Sequence, residues 1–355
     1  MKKRAIIRVD GGPHIGMGHV VRCLNFAETL RKHHVEVLFV TRAFGKTVPE
    51  FIQQHNFSIK TIDKDVNFKD DAVFIKKISE SWHARFIFSD LGTEENLAKK
   101  KELAIFFETL KAQGLFLVSV DDFKKIDFPF DIQIIPYCGA EDIDYKFSQY
   151  TTHLLGPKYY IAAPSDVKLA QKKRIIQRNA KKILITVGGS DPAQLTPDIV
   201  KALTALNAKD LKVKIVIGPC FPDNMKKCIK NIFRQFEGAY EFCPPQNIMK
   251  LMLWSDLVIS GIGLTRYEAA LTGTPNLCVT RNRLNTYRIR KFIATRTSRH
   301  ISIPGESSLP WLSRNIEQLL EDFDLRSKMH RSGKKLVDGK GANRIIVELR
   351  KRKII

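Results

Sequence analysis

A glycine-rich segment near the amino terminus, GPHIGMGHVVRC (residues 12–23), carries side chains that could do acid–base chemistry. His19 directly follows Gly18, and the apolar spacing beyond it predicts a helix, so His19 lies in the first turn. The N–H groups at a helix start disfavour an imidazolium, and we expect a neutral ring that can take a proton from water or a hydroxyl. Helix capping, or packing against a sheet, is an equally good interpretation of His19 from the local sequence.

Arg22 follows His19 by one helical turn, so both side chains are predicted to face the same side of the helix, toward a ligand. A dinucleotide-binding loop is a poor alternative. Its G-x-G-x-x-G pattern needs a third glycine and an acidic residue after the second strand, whereas here Gly16 and Gly18 have no third partner and the second strand ends at Arg42. No G-K-[ST] triplet follows either, which excludes a Walker loop, and we predict no cofactor.

The elements that must position these residues alternate between apolar strands and helices, which is typical of parallel α/β sheets. A first set of predicted strands covers residues 5–10, 35–42, 84–90, 115–122 and 131–137. A second set covers residues 182–188, 213–218, 239–243, 257–260, 276–280 and 300–304. Longer helices are predicted at 94–113, 308–322, 324–335 and 343–353.

Length and composition predict two domains, because 355 residues exceed the size of most single cores. We place a Rossmann-like domain at residues 1–165, a lysine- and glutamine-rich linker at 166–180, and a second Rossmann-like domain with a basic helical tail at 181–355. The predicted fold class is therefore α/β, with two parallel-sheet domains facing each other across a cleft. Ligands of such folds bind at the carboxyl ends of the strands.

The formal net charge of +22 suits an anionic partner, but the lysines and arginines are spread along the chain. A solvated surface is the first interpretation, and an anionic membrane surface or acidic partners such as pathway enzymes the second. No recognition motif accompanies the basic residues, so sequence-specific nucleic-acid binding is not expected.

The remaining composition predicts a cytoplasmic protein without a metal site. No uninterrupted apolar run of about 18 residues is present to span a bilayer. The six cysteines form no C-x-x-C pair and no close cluster with histidine, which argues against a zinc site and a disulfide framework.

Several segments together resemble a known family. They are IGMGHVVRCLNFA (15–27), VDDF (120–123), HLLGPKYYIAAP (153–164), ILITVGGSDPAQLT (183–196) and ISGIGLTRYEAALTGTP (259–275). These segments resemble the UDP-2,4-diacetamido-2,4,6-trideoxy-β-L-altropyranose hydrolases of pseudaminic acid biosynthesis and the related spore-coat polysaccharide proteins. The resemblance covers roughly residues 4–295.

The resemblance implies the fold of the B-type glycosyltransferases, with a UDP-sugar as substrate and UDP held mainly by the second domain. It implies that His19 is a general base that activates water against the anomeric carbon, releasing free sugar and UDP with inversion and without a metal. Two alternatives stay open: a glycosyltransferase on the same fold, in which His19 deprotonates an acceptor hydroxyl, and a non-catalytic nucleotide-sugar-binding partner.

The segments of the second domain make physical sense as a nucleotide site. Backbone N–H groups near residues 261–265 can meet a diphosphate at a helix start, and Glu268 can accept hydrogen bonds from ribose hydroxyls. Gly188 and Gly189, followed by the small Ser190, leave room beside the backbone where a ligand would approach. A tight strand-to-helix connection explains this turn, and the turn at residues 261–265, equally simply. The predicted substrate-binding residues are Gly16, Gly18, Arg22, Asp90, Gly188, Gly189, Ser190, Gly261, Gly263, Leu264, Thr265, Glu268 and Asn285.

The chain departs from the family pattern at several places that bear on activity, and the asparagine–glutamine pair bears on the sugar. No tyrosine follows Asp90 where the family has a D-x-Y segment, and only Asn285 matches the family's asparagine–glutamine pair. The sequence therefore predicts a nucleotide-sugar site without identifying the sugar.

Overall fold

A computed structural model describes residues 3–12, 15–121, 126–144, 150–206, 208–218, 221–245, 248–281 and 287–355. The chain divides into two compact units. One comprises Met1–Pro164 together with Gly339–Ile355, and the other comprises Ser165–Asp338. Each unit has one parallel sheet, as the alternating pattern predicts.

The first unit has a seven-stranded sheet in the order β3-β2-β1-β4-β5-β6-β7. Its strands are β1 (Lys3–Val9), β2 (Val35–Arg42), β3 (Ser58–Ile62), β4 (Phe86–Asp90), β5 (Phe116–Val120), β6 (Ile132–Ile135) and β7 (Thr152–Leu155). Its helices are α1 (Gly18–Lys32), α2 (Thr47–Gln54), α3 (Phe68–Trp82), α4 (Glu94–Ala98) and α5 (Lys100–Ala112). The predicted helix at 94–113 is thus two helices that meet at Lys99.

The central strands of this sheet are buried on both faces, which explains their continuous apolar runs. Helix α1 packs on one face, where the rings of Phe26 and Phe88 lie 4.5 Å apart between centroids. The edge strands β3 and β7 are absent from the prediction. In β3, exposed Ser58 and Lys60 interrupt the apolar pattern because an edge strand needs less cover.

The second unit has a six-stranded parallel sheet in the order β10-β9-β8-β11-β12-β13. All six predicted strands are present, as β8 (Lys182–Thr186), β9 (Lys212–Val216), β10 (Ala239–Cys243), β11 (Leu257–Ser260), β12 (Asn276–Thr280) and β13 (Ser298–Ser302). The helices are α6 (Pro164–Ala170), α7 (Leu195–Thr204), α8 (Asp223–Phe233), α9 (Ile248–Trp254), α10 (Thr265–Thr272), α11 (Tyr287–Ala294), α12 (Leu309–Glu321) and α13 (Phe323–Leu336).

The last helix, α14 (Gly341–Lys351), belongs to the first unit, whereas the sequence placed residues 181–355 together. Its apolar stripe, with Ile345, Ile346 and Leu349 fully covered, joins the core around α1 and β1. The predicted linker also differs, because its first part is helix α6 and Lys334 donates to the Ala170 carbonyl oxygen at 2.8 Å. Within the described ranges, no helix has the length and apolarity needed to cross a bilayer.

Candidate functional site

His19 lies at the carboxyl edge of the first sheet, in the first turn of α1, next to the end of β4. Its Nδ1 atom is 2.6 Å from Oδ1 of Asp90, the last residue of β4. The Asp90 side chain is fully covered, while 21% of the His19 side chain is exposed. If Nδ1 carries the proton and donates to Asp90, Nε2 is the acceptor of the ring. This arrangement has the geometry of a base held by a carboxylate.

Arg22 binds the carboxylate of Asp90 in a two-point contact, with Nε 2.8 Å from Oδ2 and Nη2 2.8 Å from Oδ1. Its Nη2 atom also donates to Oδ2 of Asp121 at 3.1 Å, and its Nη1 atom donates to the Tyr137 hydroxyl. Only 3% of the Arg22 side chain is exposed. The sequence assigns Arg22 and Asp90 to substrate binding, but their burial suits them to holding His19 in place.

The surroundings of His19 shift its pKa in the direction opposite to the one expected from the helix start alone. Burial of the ring lowers its pKa, but the adjacent Asp90 carboxylate outweighs burial, and the pKa of His19 is raised above its usual value. The helix start is the weaker influence because a full charge acts on Nδ1 at hydrogen-bond distance. Burial would raise the pKa of Asp90, but Arg22 and His19 together lower it, so this carboxylate stays ionised.

Asp121 and Tyr137 complete the cluster and were not among the predicted site residues. Asp121 follows β5 with a backbone φ of +122°, a strained value for a residue with a side chain. Burial and the neighbouring Asp90 raise its pKa, although Arg22 opposes them. Two signals were available: the VDDF segment (120–123) of the family resemblance, and the positions of Asp90 and Asp121 at the ends of adjacent parallel strands. Tyr137, in the segment after β6, accepts a hydrogen bond from Arg22. The cluster therefore contains a tyrosine, although none closely follows Asp90 in the sequence.

His19, Asp90 and Asp121 offer donor atoms within 4.8 Å of one another, a spacing that a metal ion could use. The guanidinium of Arg22 already contacts both carboxylates, at 2.8 and 3.1 Å, and supplies the positive charge that an ion would bring. These residues therefore do not fit a metal site, and the absence of a metal stays a prediction.

The glycines before α1 shape the turn that presents His19. Gly16 has a φ of +83° and donates its N–H to the Gly12 carbonyl oxygen at 2.7 Å. A Cβ on Gly16 would meet no atom of the described residues within 4 Å, so backbone conformation explains this glycine. Gly18 is the first residue of α1 and precedes His19 directly.

The predicted residues of the second unit come together at one sheet edge. Gly188, Gly189 and Ser190 follow β8, while Gly261, Gly263, Leu264 and Thr265 lie between β11 and α10 or begin α10. Strands β8 and β11 are direct neighbours, so their carboxyl ends place the two turns side by side. Asn285 lies outside the described residues.

Three of these glycines have different physical explanations. Gly188 has a φ of +109°, which favours glycine for backbone reasons alone. Gly189 and Gly263 have no positive φ, and a Cβ on either would meet no atom within 4 Å in the part of the chain that the structure describes. Backbone conformation and packing therefore do not require glycine at 189 and 263, whereas close approach of a ligand would.

The two helix starts at this edge also differ. Asp191 caps α7 by accepting the N–H groups of Leu195 and Thr196, each at 2.8 Å. No side chain of the described segments caps α10. Because uncapped N–H groups carry partial positive charge, the start of α10 is the better anion site of the two.

Glu268 lies in the first turn of α10 and is partly buried. Burial, together with the nearby carboxylate of Asp166, raises its pKa to about 7. Glu268 can therefore act as a hydrogen-bond acceptor whose charge changes near neutral pH.

No family model matches the chain, but distant relatives are found. An uncharacterized protein of Methanocaldococcus jannaschii is 30% identical over 296 residues, covering 79% of this chain and 56% of that protein. This chain thus spans little more than half of that relative. The spore coat polysaccharide biosynthesis protein SpsG of Bacillus subtilis is 26% identical over 359 residues, covering 96% of this chain and 95% of SpsG.

A third relative carries two activities in its name. The pseudaminic acid cytidylyltransferase and UDP-2,4-diacetamido-2,4,6-trideoxy-beta-L-altropyranose hydrolase of Helicobacter pylori is 26% identical over 212 residues. The match covers 59% of this chain and 36% of that protein. These relatives support the resemblance seen in the sequence at the level of distant homology.

Solved structures show the fold. MurG of Acinetobacter baumannii aligns with a TM-score of 0.67 at 13% identity, covering 98% of this chain and 99% of MurG. The UDP-GlcNAc 2-epimerase of Neisseria meningitidis, bound to UDP-GlcNAc, aligns with a TM-score of 0.66 at 13% identity, covering 98% of this chain and all of the epimerase chain (100%). With the two parallel sheets, these likenesses show the B-type glycosyltransferase fold.

Proposed function

We propose that the protein hydrolyses a UDP-linked diacetamido trideoxy sugar at its anomeric carbon, giving free sugar and UDP, in the biosynthesis of a nonulosonic acid or a surface polysaccharide. The observation that carries this proposal is the contact of 2.6 Å between His19 Nδ1 and Asp90 Oδ1. The names of the Helicobacter and Bacillus relatives support the substrate class and the pathway.

In this hydrolysis, the His19–Asp90 pair would activate the attacking water. Asp90 accepts a hydrogen bond from Nδ1–H of His19, so Nε2 can take a proton from water. The water oxygen then bonds to the anomeric carbon from the face opposite UDP, and the bond between that carbon and the phosphate oxygen breaks. Its electron pair leaves with UDP, and the sugar is inverted. The raised pKa makes His19 a stronger base once it is deprotonated.

The second unit would hold the nucleotide. The uncapped start of α10 suits the diphosphate, and Glu268 suits the ribose hydroxyls. The open space beside Gly189 and Gly263 allows the ligand backbone to approach both turns.

A glycosyltransferase is the second candidate, favoured by the fold, since glycosyltransferases such as that of Rickettsia africae align with a TM-score of 0.62. The same base would then deprotonate an acceptor hydroxyl in place of water. A nucleotide-sugar-binding partner without turnover is the third candidate.

The test is to incubate the purified protein with UDP-linked diacetamido trideoxy sugars and to follow UDP release. Release without an acceptor supports hydrolysis. Release only with an acceptor supports transfer, and tight UDP binding without turnover supports the binding partner.

Replacement of the base separates catalysis from binding. His19→Gln is expected to lower kcat by about 10²- to 10⁴-fold, since it removes general-base catalysis, while UDP affinity is unchanged. His33→Gln, at the other end of α1, is the matched control and keeps full activity. Unchanged turnover in His19→Gln would show that His19 is not the base.

The pH profile gives an independent readout. Only the neutral ring accepts a proton, and the pKa of His19 is raised. Activity is therefore expected to rise with pH through a value above the usual 6.5 of histidine. A rise complete well below that value would contradict the Asp90 contact as the controlling influence.

A further inference from the structure

The second unit carries a strongly basic pocket that the proposed chemistry does not use. It is open, has a volume of about 670 Å³, and is lined by six cationic side chains and one carboxylate. We call this cavity the basic pocket. Its cationic side chains are Lys172, Lys173, Arg174, Lys181, Lys182 and Lys212. Lys182 and Lys212 begin β8 and β9. The pocket therefore lies at the amino-terminal edge of the sheet, opposite the glycine turns.

The positive charge of the basic pocket is poorly neutralised. Lys182 and Lys212 are register partners on adjacent parallel strands, so both side chains leave the sheet on the same face. The single carboxylate, Asp256, accepts the backbone N–H groups of Lys181 and Lys182, each at 3.0 Å.

One lysine of the basic pocket forms an ion pair. Lys181 pairs with Asp210 at 2.5 Å, and both side chains are mostly exposed. Among the residues that the structure describes, Lys172, Lys173 and Lys212 have no carboxylate within ion-pair distance. Such unpaired charge costs stability unless an anion compensates it.

Apolar groups accompany this charge. Ile175 is 70% exposed and directly follows three consecutive basic residues. Trp254 lies on the same pocket, with the ammonium groups of Lys182 and Lys214 at 5.9 and 4.9 Å from its ring centroid. Arg174 donates to the carbonyl oxygens of Met252 and Ser255 and so fixes the segment before Ile175 against α9.

We propose that the basic pocket docks the protein on an anionic phospholipid bilayer. The ammonium groups contact the lipid phosphates, Trp254 lies at the level of the headgroups, and Ile175 enters the acyl boundary. An exposed isoleucine next to a tryptophan distinguishes a bilayer from a free phosphate or a nucleic acid, neither of which rewards burial of an aliphatic chain. Docking here leaves the glycine turns uncovered, since they lie at the other edge of the sheet.

The test compares two triple variants of the full chain by co-sedimentation with vesicles. The vesicles are phosphatidylcholine alone, or phosphatidylcholine with about a third of phosphatidylglycerol. One variant carries Lys172→Glu, Lys173→Glu and Lys212→Glu. The control carries Lys99→Glu, Lys100→Glu and Lys101→Glu, exposed positions of the first unit that change the net charge equally.

The wild type is expected to bind the anionic vesicles and not the neutral ones. The pocket variant loses roughly 100-fold or more in vesicle affinity, because each lysine near an anionic surface contributes about five-fold. The control variant stays within a few-fold of the wild type. Equal losses in both variants, or no binding of the wild type, would overturn the proposal.

Ile175→Ser separates lipid from other polyanions. It is expected to weaken vesicle binding several-fold and to leave binding of inorganic polyphosphate unchanged. Tryptophan emission should shift to the blue on vesicle binding, and Trp254→Phe should abolish the shift. Polyphosphate binding without vesicle binding, or a shift that persists in Trp254→Phe, would contradict docking on a bilayer. UDP release is unaffected in all these variants, so failure here is distinguishable from failure of the proposed hydrolysis.

Discussion

At the carboxyl edge of the first sheet, polar side chains contact one another closely, whereas at the same edge of the second sheet glycines leave open space. Arg22 joins two carboxylates and a tyrosine under His19, and it is almost completely buried. A methyl group added to Gly189 or Gly263 would have no described atom within 4 Å. The first edge fixes one side chain, and the second leaves space through which the proposed nucleotide would approach the backbone.

This difference shows why the two edges should respond differently to substitution. In the first unit, Arg22 and Asp90 are predicted binding residues and also structural residues, because their buried charges balance each other. In the second unit the two roles separate under the proposed function. The positive φ of Gly188 explains glycine there, whereas Gly189 and Gly263 would serve the approach of a ligand.

The largest expected effect is at Arg22. Arg22→Met leaves Asp90 and Asp121 without their shared cation, and we expect a loss of about 3–5 kcal/mol in the free energy of unfolding. Arg31→Met, on the same helix but exposed, is the matched control and should cost less than about 1 kcal/mol. Urea unfolding measures both. A small loss in Arg22→Met would show that the network does not support the fold.

Two adjacent glycines sharpen the contrast within the second unit. Gly188→Ala forces a side chain into a φ of +109° and is expected to cost about 1–3 kcal/mol of stability. Gly189→Ala should leave stability within about 0.5 kcal/mol of the wild type but weaken UDP binding. Thermal unfolding and calorimetric titration with UDP distinguish the two. Equal stability losses would mean that glycine at 189 serves the fold.

The smallest expected effect concerns Glu268. Its pKa lies at about 7, and the ionised form accepts hydrogen bonds more strongly. UDP affinity is therefore expected to rise roughly five-fold as pH increases through neutrality, since a charged acceptor gains about 1 kcal/mol over a neutral one. Glu268→Gln should retain only the pH dependence that comes from the diphosphate itself. An identical pH dependence in both proteins would remove Glu268 from the ribose contact.

The location of both edges could be predicted from the sequence. Apolar strands that alternate with helices dictate parallel sheets, and parallel sheets place the ends of neighbouring strands together. This argument places His19, Asp90 and the glycine turns at strand ends, where the structure has them. It needs only local patterns, which are strong in buried strands and weak in edge strands such as β3.

The partners of Arg22 could not be predicted in the same way. Asp90 and Asp121 lie 68 and 99 residues from it, and no local pattern relates them. The raised pKa of His19 depends on these contacts, which an argument from its helix alone does not include. The apolar stripe of α14 likewise predicts a buried face but does not say which core receives it.

The position of α14 has a consequence for the order of folding during synthesis. The chain leaves the first unit at Pro164 and returns to it at Gly339. The sequence of the second unit is therefore inserted within that of the first. Domains emerging from a ribosome fold as their residues become available. Ile345, Ile346 and Leu349 emerge only after the whole second unit, yet they belong to the core beneath α1. The unit that carries His19 is therefore the first to begin folding and the last to be completed.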